Sequence, residues 1–177
     1  MRGAMGNRQR AATPRDGDIF TIPLGDGRVS VGQVISSFHS AYYIVVRDFA
    51  VRVDELPLRL PEALGAEPVL AGLTFDALIG HGHWKVVDNR PVDGKKYLPA
   101  YKTGTAEMGN CMIEDFKGEV WRPATAVEAE IIPFRENTAP IRFEKAMKAH
   151  MGLEPWNDSY ERIRVGDVVT SADIFGW

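Results

Sequence analysis

Apolar and polar positions alternate with period two at the start of the chain, and a helical period appears only late. In DIFTIPL, Phe20, Ile22 and Leu24 alternate with Ile19, Thr21 and Pro23, the repeat of a strand. Pro23 has no N–H to give a ladder, which places it at an edge or near the strand end. Gly25-Asp26-Gly27 supplies the positive φ of a tight hairpin. From Arg28 to Ile35 the alternation resumes with Val29 and Val31 on one face, and Gly32 is expected at a bulge because Val34 falls out of phase. A third run, AYYIVVRDFAV, begins at Ala41 and is rich in β-branched and aromatic residues. These three strands predict a bent meander, as in a small barrel or a half-open antiparallel sheet.

The middle of the chain is less regular. LPLRLPEALGAEPVLAG is broken by prolines and glycines and reads as a crossing between sheet regions. Leu73, Phe75, Ala77 and Ile79 keep period two, Gly80 and Gly82 bracket His81, and Trp84 with Val86 opens a further strand. Cys111 to Phe116 and Glu119 to Arg122, joined at Lys117-Gly118, read as a second hairpin. Thr125 and Glu128 have the spacing of a capping box, and Pro133 cuts the helix behind it short. Asn137 or Thr138 caps a clearer helix with Pro140 in its first turn. Its stripe is Phe143, Met147, His150 and Met151, and Gly152 ends it. Another helix is expected from Pro155 and a short strand over Val165–Val169. The expected fold is α+β: mostly antiparallel β, as a strongly bent sheet or small half-open barrel, with helices in the C-terminal third. Residues 1–15 read as a flexible basic tail, 16–135 as a β-rich domain, and 136–177 as a helical extension packed on the same domain.

Composition narrows the class of protein. With 177 residues, 45% apolar and 25% charged, the chain is an ordinary globular one. Cys111 is the single cysteine, so there is no internal disulfide, which fits a reducing compartment. No apolar run approaches the roughly 20 residues of a membrane span, and the N-terminus lacks the apolar core of a signal peptide. A cytoplasmic protein is expected. The four arginines of residues 1–15 are Arg2, Arg8, Arg10 and Arg15; without them, 17 basic residues face 24 acidic ones, a formal charge of −7. That balance argues against nucleic acid as the main partner and suits a basic protein partner. No membrane partner is expected.

Candidate chemistry is sparse. Gly25-Asp26-Gly27 lacks the GxxxxGK[ST] pattern of a phosphate loop. On a strand His81 and His83 face the same way, so two imidazoles could reach one ion. Zinc takes three or four ligands, and His39, His150 and Cys111 add no HExxH or CxxC spacing. Cys111 lies in NCMIEDF, an apolar strand context where a thiol acts as a small hydrophobe. Glu107, Glu114 and Asp115 could pair as acid and base, but neighbours on a strand point to opposite faces, and a solvated acidic face is the simpler account. Without a catalytic constellation, the reading is of a protein that presents a surface.

GDIFTIPLGDGRVSVGQVI resembles the opening of the immunity protein 26 family of bacterial polymorphic toxin systems. Gly17, Asp18, Phe20, Ile22, Pro23, Leu24, Gly27, Gly32 and Val34 match its pattern in order. Gly82 and Trp84 resemble its Gly-x-Trp segment, although Asp88 stands where the family usually has Gly before the Asn, here Asn89. IEDFKGEVWRPATAVEAE resembles its hairpin and the start of a short helix, so the resemblance covers about residues 16–135. It implies an inhibitor that binds a cognate toxin, with no catalysis and no cofactor, and the acidic body suits a basic, nuclease-like toxin domain. Candidate anchors for that partner are Tyr42, Tyr43, Tyr97, Tyr101, Glu107, Glu114, Asp115 and Glu119. Two other classes stay open. One is a small metal- or ligand-binding enzyme using His81, His83 and Cys111 with an acid such as Asp76; the other is an interaction module using the Arg-rich tail.

Overall fold

A computed structural model describes residues 13–176, so the expected basic tail falls largely outside the described residues. Strands β1 (Asp18–Pro23) and β2 (Arg28–Phe38) form the first hairpin, and Gly25 and Gly27 turn it with φ of 88° and 85°. β3 (Ala41–Arg47) pairs with the second half of β2, and β4 (Val51–Arg52) with its beginning. After helix α1 (Leu56–Gly65), β5 (Pro68–Thr74) lies antiparallel to β3. The short helix α2 (Ala77–Gly80) leads to β6 (Lys85–Asn89), which returns beside β1. A second sheet follows from β7 (Tyr101–Thr103), β8 (Met112–Glu114) and β9 (Trp121–Pro123). Then come α3 (Ala126–Ile131), β10 (Asn137–Thr138), α4 (Pro140–His150), a 3-10 helix over Asp158–Ile163, and α5 (Ser171–Phe175). The large sheet has the order β10-β5-β3-β2-β1-β6, with β4 also on β2; it is curved but open at both edges.

Both faces of this sheet are covered, which explains why β1, β2 and β3 are buried almost continuously along their length. On one face Phe20, Ile22, Val34, Ile44 and Leu70 pack against Phe143, Ala146 and Met147 of α4. On the other, Ile19, Val31 and Val51 pack against Leu56, Leu60 and Ala63 of α1. Further along that second face, Tyr43, Val45 and Leu73 meet Tyr101 and Phe116 of the small-sheet region.

The residues that carry the resemblance are architectural. Trp84 is 1% exposed and lies parallel to Phe20, with ring centroids 5.2 Å apart and planes 6° apart. Its indole N–H donates to the buried carboxylate of Glu144 at 3.2 Å, which also meets Lys148 Nζ at 2.9 Å and His83 Nε2 at 2.8 Å. Burial alone would raise the Glu144 pKa, but these hydrogen bonds prevail and hold it below its ordinary value. Across the sheet, a Cβ on Gly32 would stand 2.4 Å from the Phe20 ring, so only glycine lets that ring lie flat. The buried Asp18 accepts from Asn89 Nδ2 at 2.8 Å and from Arg15 N–H at 2.9 Å, tying β6 to β1.

Several local expectations are corrected. The segment read as a crossing contains α1: Leu56, Leu60 and Ala63 recur with helical spacing and are buried together, which outweighs the hydrogen bond lost at Pro61. The period-two run from Leu73 stops at Thr74, and the chain coils into α2, with Phe75 exposed and Ile79 buried. Gly32 pairs in register with Phe20; the bulge lies between Val34 and Ser36. Asn137 and Thr138 do not cap α4 but pair in parallel with β5. The expected helix from Pro155 is the 3-10 segment from Asp158. Val165–Val169 is not a strand and makes only isolated contacts, such as Val165 N–H to Val69 O at 2.9 Å. The second hairpin and the Thr125–Glu128 capping box stand as read.

Candidate functional site

The sequence-selected tyrosines and acids separate into distinct environments. Tyr43 and Tyr101 are 4% and 5% exposed, and both set their rings against Phe116. Burial raises both phenol pKa values. Tyr42 is half-buried on the opposite face of β3, against the α4 side of the core; burial and the nearby Asp76 raise its pKa. Tyr97 is half-buried, and its hydroxyl accepts from Arg47 Nη2 at 3.2 Å.

The acids do not share one solvated face. Asp115 is 4% exposed, and its Oδ1 accepts from the N–H groups of Glu119 (2.7 Å) and Val120 (3.2 Å), closing the β8–β9 turn. Glu114 accepts from Arg135 Nη2 at 2.8 Å. The same guanidinium donates to Phe116 O at 2.9 Å and lies 3.7 Å from the Phe38 centroid and 4.1 Å from that of Tyr101. Arg135 thus clamps the small sheet onto the large one. Glu107 and Glu119 are exposed in the two turns of the small sheet.

His81, His83, Cys111 and Asp76 are not gathered. His81 bonds through Nδ1 to Ala77 O on α2, His83 turns to Glu144, Asp76 begins α2, and Cys111 precedes β8 in the other sheet. Among the described residues, no three His, Cys, Asp or Glu side chains are placed to hold one metal ion.

What the structure does assemble is a cleft of about 440 Å³ on the outer edge of β5. That edge is occupied at two places. β10 pairs with Leu73 and Thr74, and Arg164 bridges to Leu70. Between them Ala71 and Gly72 face the cleft rather than a neighbouring strand. Tyr43, Leu73 and Tyr101 also line it. Ile131, Phe134 and Val168 stand along it while 56%, 48% and 41% exposed, and Val127, one helical turn before Ile131 on α3, is 64% exposed. A smaller cavity of about 160 Å³ adjoins, sharing Tyr43, Ala71 and Gly166, with Lys96 and Tyr97 on its wall. Of the charged cleft residues, Arg162 pairs with Glu136 at 3.4 Å and Arg164 with Glu161 at 3.2 Å. Among the described residues, Asp167 has no ion-pair partner.

Tyr43 and Tyr101 were legible in the sequence as aromatics, but Ile131, Phe134, Asp167 and Val168 were not singled out. Val127 and Ile131 carried a faint signal, being two large apolar residues four apart on a helix too short to need both. The others come together only through tertiary contacts.

The family model of immunity protein 26 matches residues 15–108. The match takes in the Gly17-Asp18 opening and the Gly82–Trp84 segment and stops before the β8–β9 hairpin, short of the range the sequence resemblance suggested. No curated protein and no solved structure matches the chain. No helix among the described residues is long and apolar enough to cross a membrane. With just over half of its length matched, the chain belongs to the immunity protein 26 family.

Proposed function

We propose that this chain binds a cognate toxin protein and neutralises it by covering part of its surface, with no chemistry of its own. The observation that carries this reading is the apolar lip of Ile131, Phe134 and Val168 beside a cleft, exposed where a solitary folded protein gains nothing from it. A specific interface buries about 800 Å² per partner and rests on a few aromatic or apolar anchors. Trp121 and Val120, 66% and 48% exposed at the β8–β9 turn, add to that supply. The net charge of −7 beyond residue 15 favours rapid capture of a basic toxin. We place this action in the cytoplasm, where the lone thiol of Cys111 stays reduced.

The test is co-expression with a candidate toxin domain, taken from a neighbouring gene where one encodes a toxin. Growth should be restored, and the purified pair should form a complex whose association slows as salt is raised. Failure to protect against that toxin, with no complex by calorimetry, would overturn the proposal.

A further inference from the structure

The cleft has the makings of a socket for one side chain. Its floor carries two phenols, Tyr43 and Tyr101, each at least nine-tenths buried. Neither hydroxyl bonds to another described residue, and neither is among the fully buried unpaired atoms, so both phenol tips open onto the cleft, free to bond to what enters it. Its walls are apolar: Leu73, Ile131, Phe134 and Val168. Asp167, which has no ion-pair partner among the described residues, belongs to the same cleft, where Arg162 and Arg164 are each paired with a glutamate. The gap in the sheet edge at Ala71–Gly72 spans only about two residues, roughly 7 Å at a strand's rise. β10 and Arg164 close it on either side, so a partner strand cannot lie along it. A projecting side chain can enter.

We infer that the cleft receives a tryptophan or tyrosine side chain from a loop of the toxin, with a lysine or arginine next to it in that loop. The occupant's ring fills the apolar walls. Its indole N–H or phenol O–H meets the hydroxyls of Tyr43 and Tyr101, and the adjacent cation pairs with Asp167. Indole and phenol fit better than an aliphatic side chain because they bring both an apolar body and a polar tip. This rests on the proposed function and names the means of recognition within it.

The experiment titrates the full chain, labelled with nitrogen-15, with blocked tripeptides Lys-Trp-Lys, Lys-Ala-Lys and Glu-Trp-Glu. Lys-Trp-Lys should give saturable amide shifts at Ala71, Gly72 and residues 166–169, with a Kd of about 1 mM or tighter. Lys-Ala-Lys and Glu-Trp-Glu should bind at least tenfold more weakly. A Cβ at Gly166 meets open space, so Gly166→Trp fills the cleft without disturbing the backbone and should abolish the shifts. Asp167→Lys should remove the preference for the basic peptide. No saturable shift, shifts elsewhere, or equal binding of the three peptides would overturn the inference; so would free indole matching Lys-Trp-Lys, which would make this a small-molecule pocket. In complex with the candidate toxin domain, both variants should raise Kd at least tenfold at an unchanged melting temperature. Full affinity in both would sink this inference and leave the proposed function standing; a wild-type chain that fails to protect would sink that function whatever the peptides do.

Discussion

Replacing Trp84 tests the joint on which the large sheet and α4 depend. The ring is buried, stacked on Phe20 at 5.2 Å, and donates to Glu144 at 3.2 Å. A buried Trp→Ala change costs about 3–5 kcal/mol in lost transfer and cavity energy. The aromatic stack adds about 0.5–1.5 kcal/mol beyond area. Glu144 keeps Lys148 and His83, so its carboxylate is not stranded and the hydrogen-bond penalty stays at the low end of about 1.5–3 kcal/mol. Since the empirical truncation range already contains part of these contributions, we expect about 4 kcal/mol for Trp84→Ala. Trp84→Phe keeps a stacked ring and loses the donor, for about 1–2 kcal/mol. Urea unfolding at neutral pH measures both, with the slope m held constant as the check that only the midpoint has moved. In a domain of this size Trp84→Ala should lower Tm by roughly 8–16 °C. A loss under about 1 kcal/mol for Trp84→Ala, or equal losses for the two variants, would refute the described packing.

Three further outcomes follow from the clamps around the small sheet. Arg135→Lys keeps the charge but loses the planar fork between Phe38 and Tyr101, and should cost about 1–2 kcal/mol in urea unfolding; an unchanged midpoint would show that the clamp is idle. Asp115→Ala leaves the Glu119 and Val120 amides without their acceptor and should cost about 1–3 kcal/mol, whereas Glu119→Lys should leave the melt within about 0.5 kcal/mol of wild type. Glu128 is held at a pKa of about 2, chiefly by Arg122 and then by the Thr125 N–H, against an ordinary 4.5. A depressed carboxylate stabilises the fold above its unfolded pKa, so this contribution is present above pH 4.5 and fades as pH falls towards 2. Glu128→Gln should flatten the acid limb of the stability profile in that window, and parallel profiles would show that the ion pair is without effect.

Where local rules and tertiary packing agreed, the chain was readable. The Gly25–Gly27 turn, the Lys117-Gly118 turn and the Thr125–Glu128 box are each decided by a few neighbouring residues. Alternation is a weaker guide because both faces of the large sheet are covered: apart from Arg28 and Gln33, β2 carries apolar or small residues on either side, so period two does not fix its register. The same ambiguity makes Gly32 look like a bulge, whereas its role is to admit the Phe20 ring. Helix α1 was hidden by two prolines, one harmless in the first turn and the other tolerated because three buried side chains hold the helix down. Helix α5 carries its own sequence signal: Thr170 and Asp173 have the spacing of a second capping box, and they form one. The cleft was not legible, since its lining comes from β3, β5, β7, α3 and the segment after Ile163. Nothing in a one-dimensional pattern brings those together.

The division of labour along the chain bears on how such a protein acquires a partner. Gly17, Asp18, Phe20, Gly32 and Trp84, which carry the family likeness, are spent on fastening β6 and α4 to the sheet; Phe20, Gly32 and Trp84 face inward and touch no cleft. The floor of the cleft comes from the matched region, through Tyr43, Leu73 and Tyr101. Its exposed lip and Asp167, without an ion-pair partner among the described residues, come from residues 131–168, beyond the match. Substitutions at Ile131, Phe134 or Val168 should leave the Phe20–Trp84 stack intact, because neither ring lines the cleft and none of the three belongs to the cluster around the stack. Changes at the lip and at the stack should therefore add in stability, as sites with no shared partner usually do.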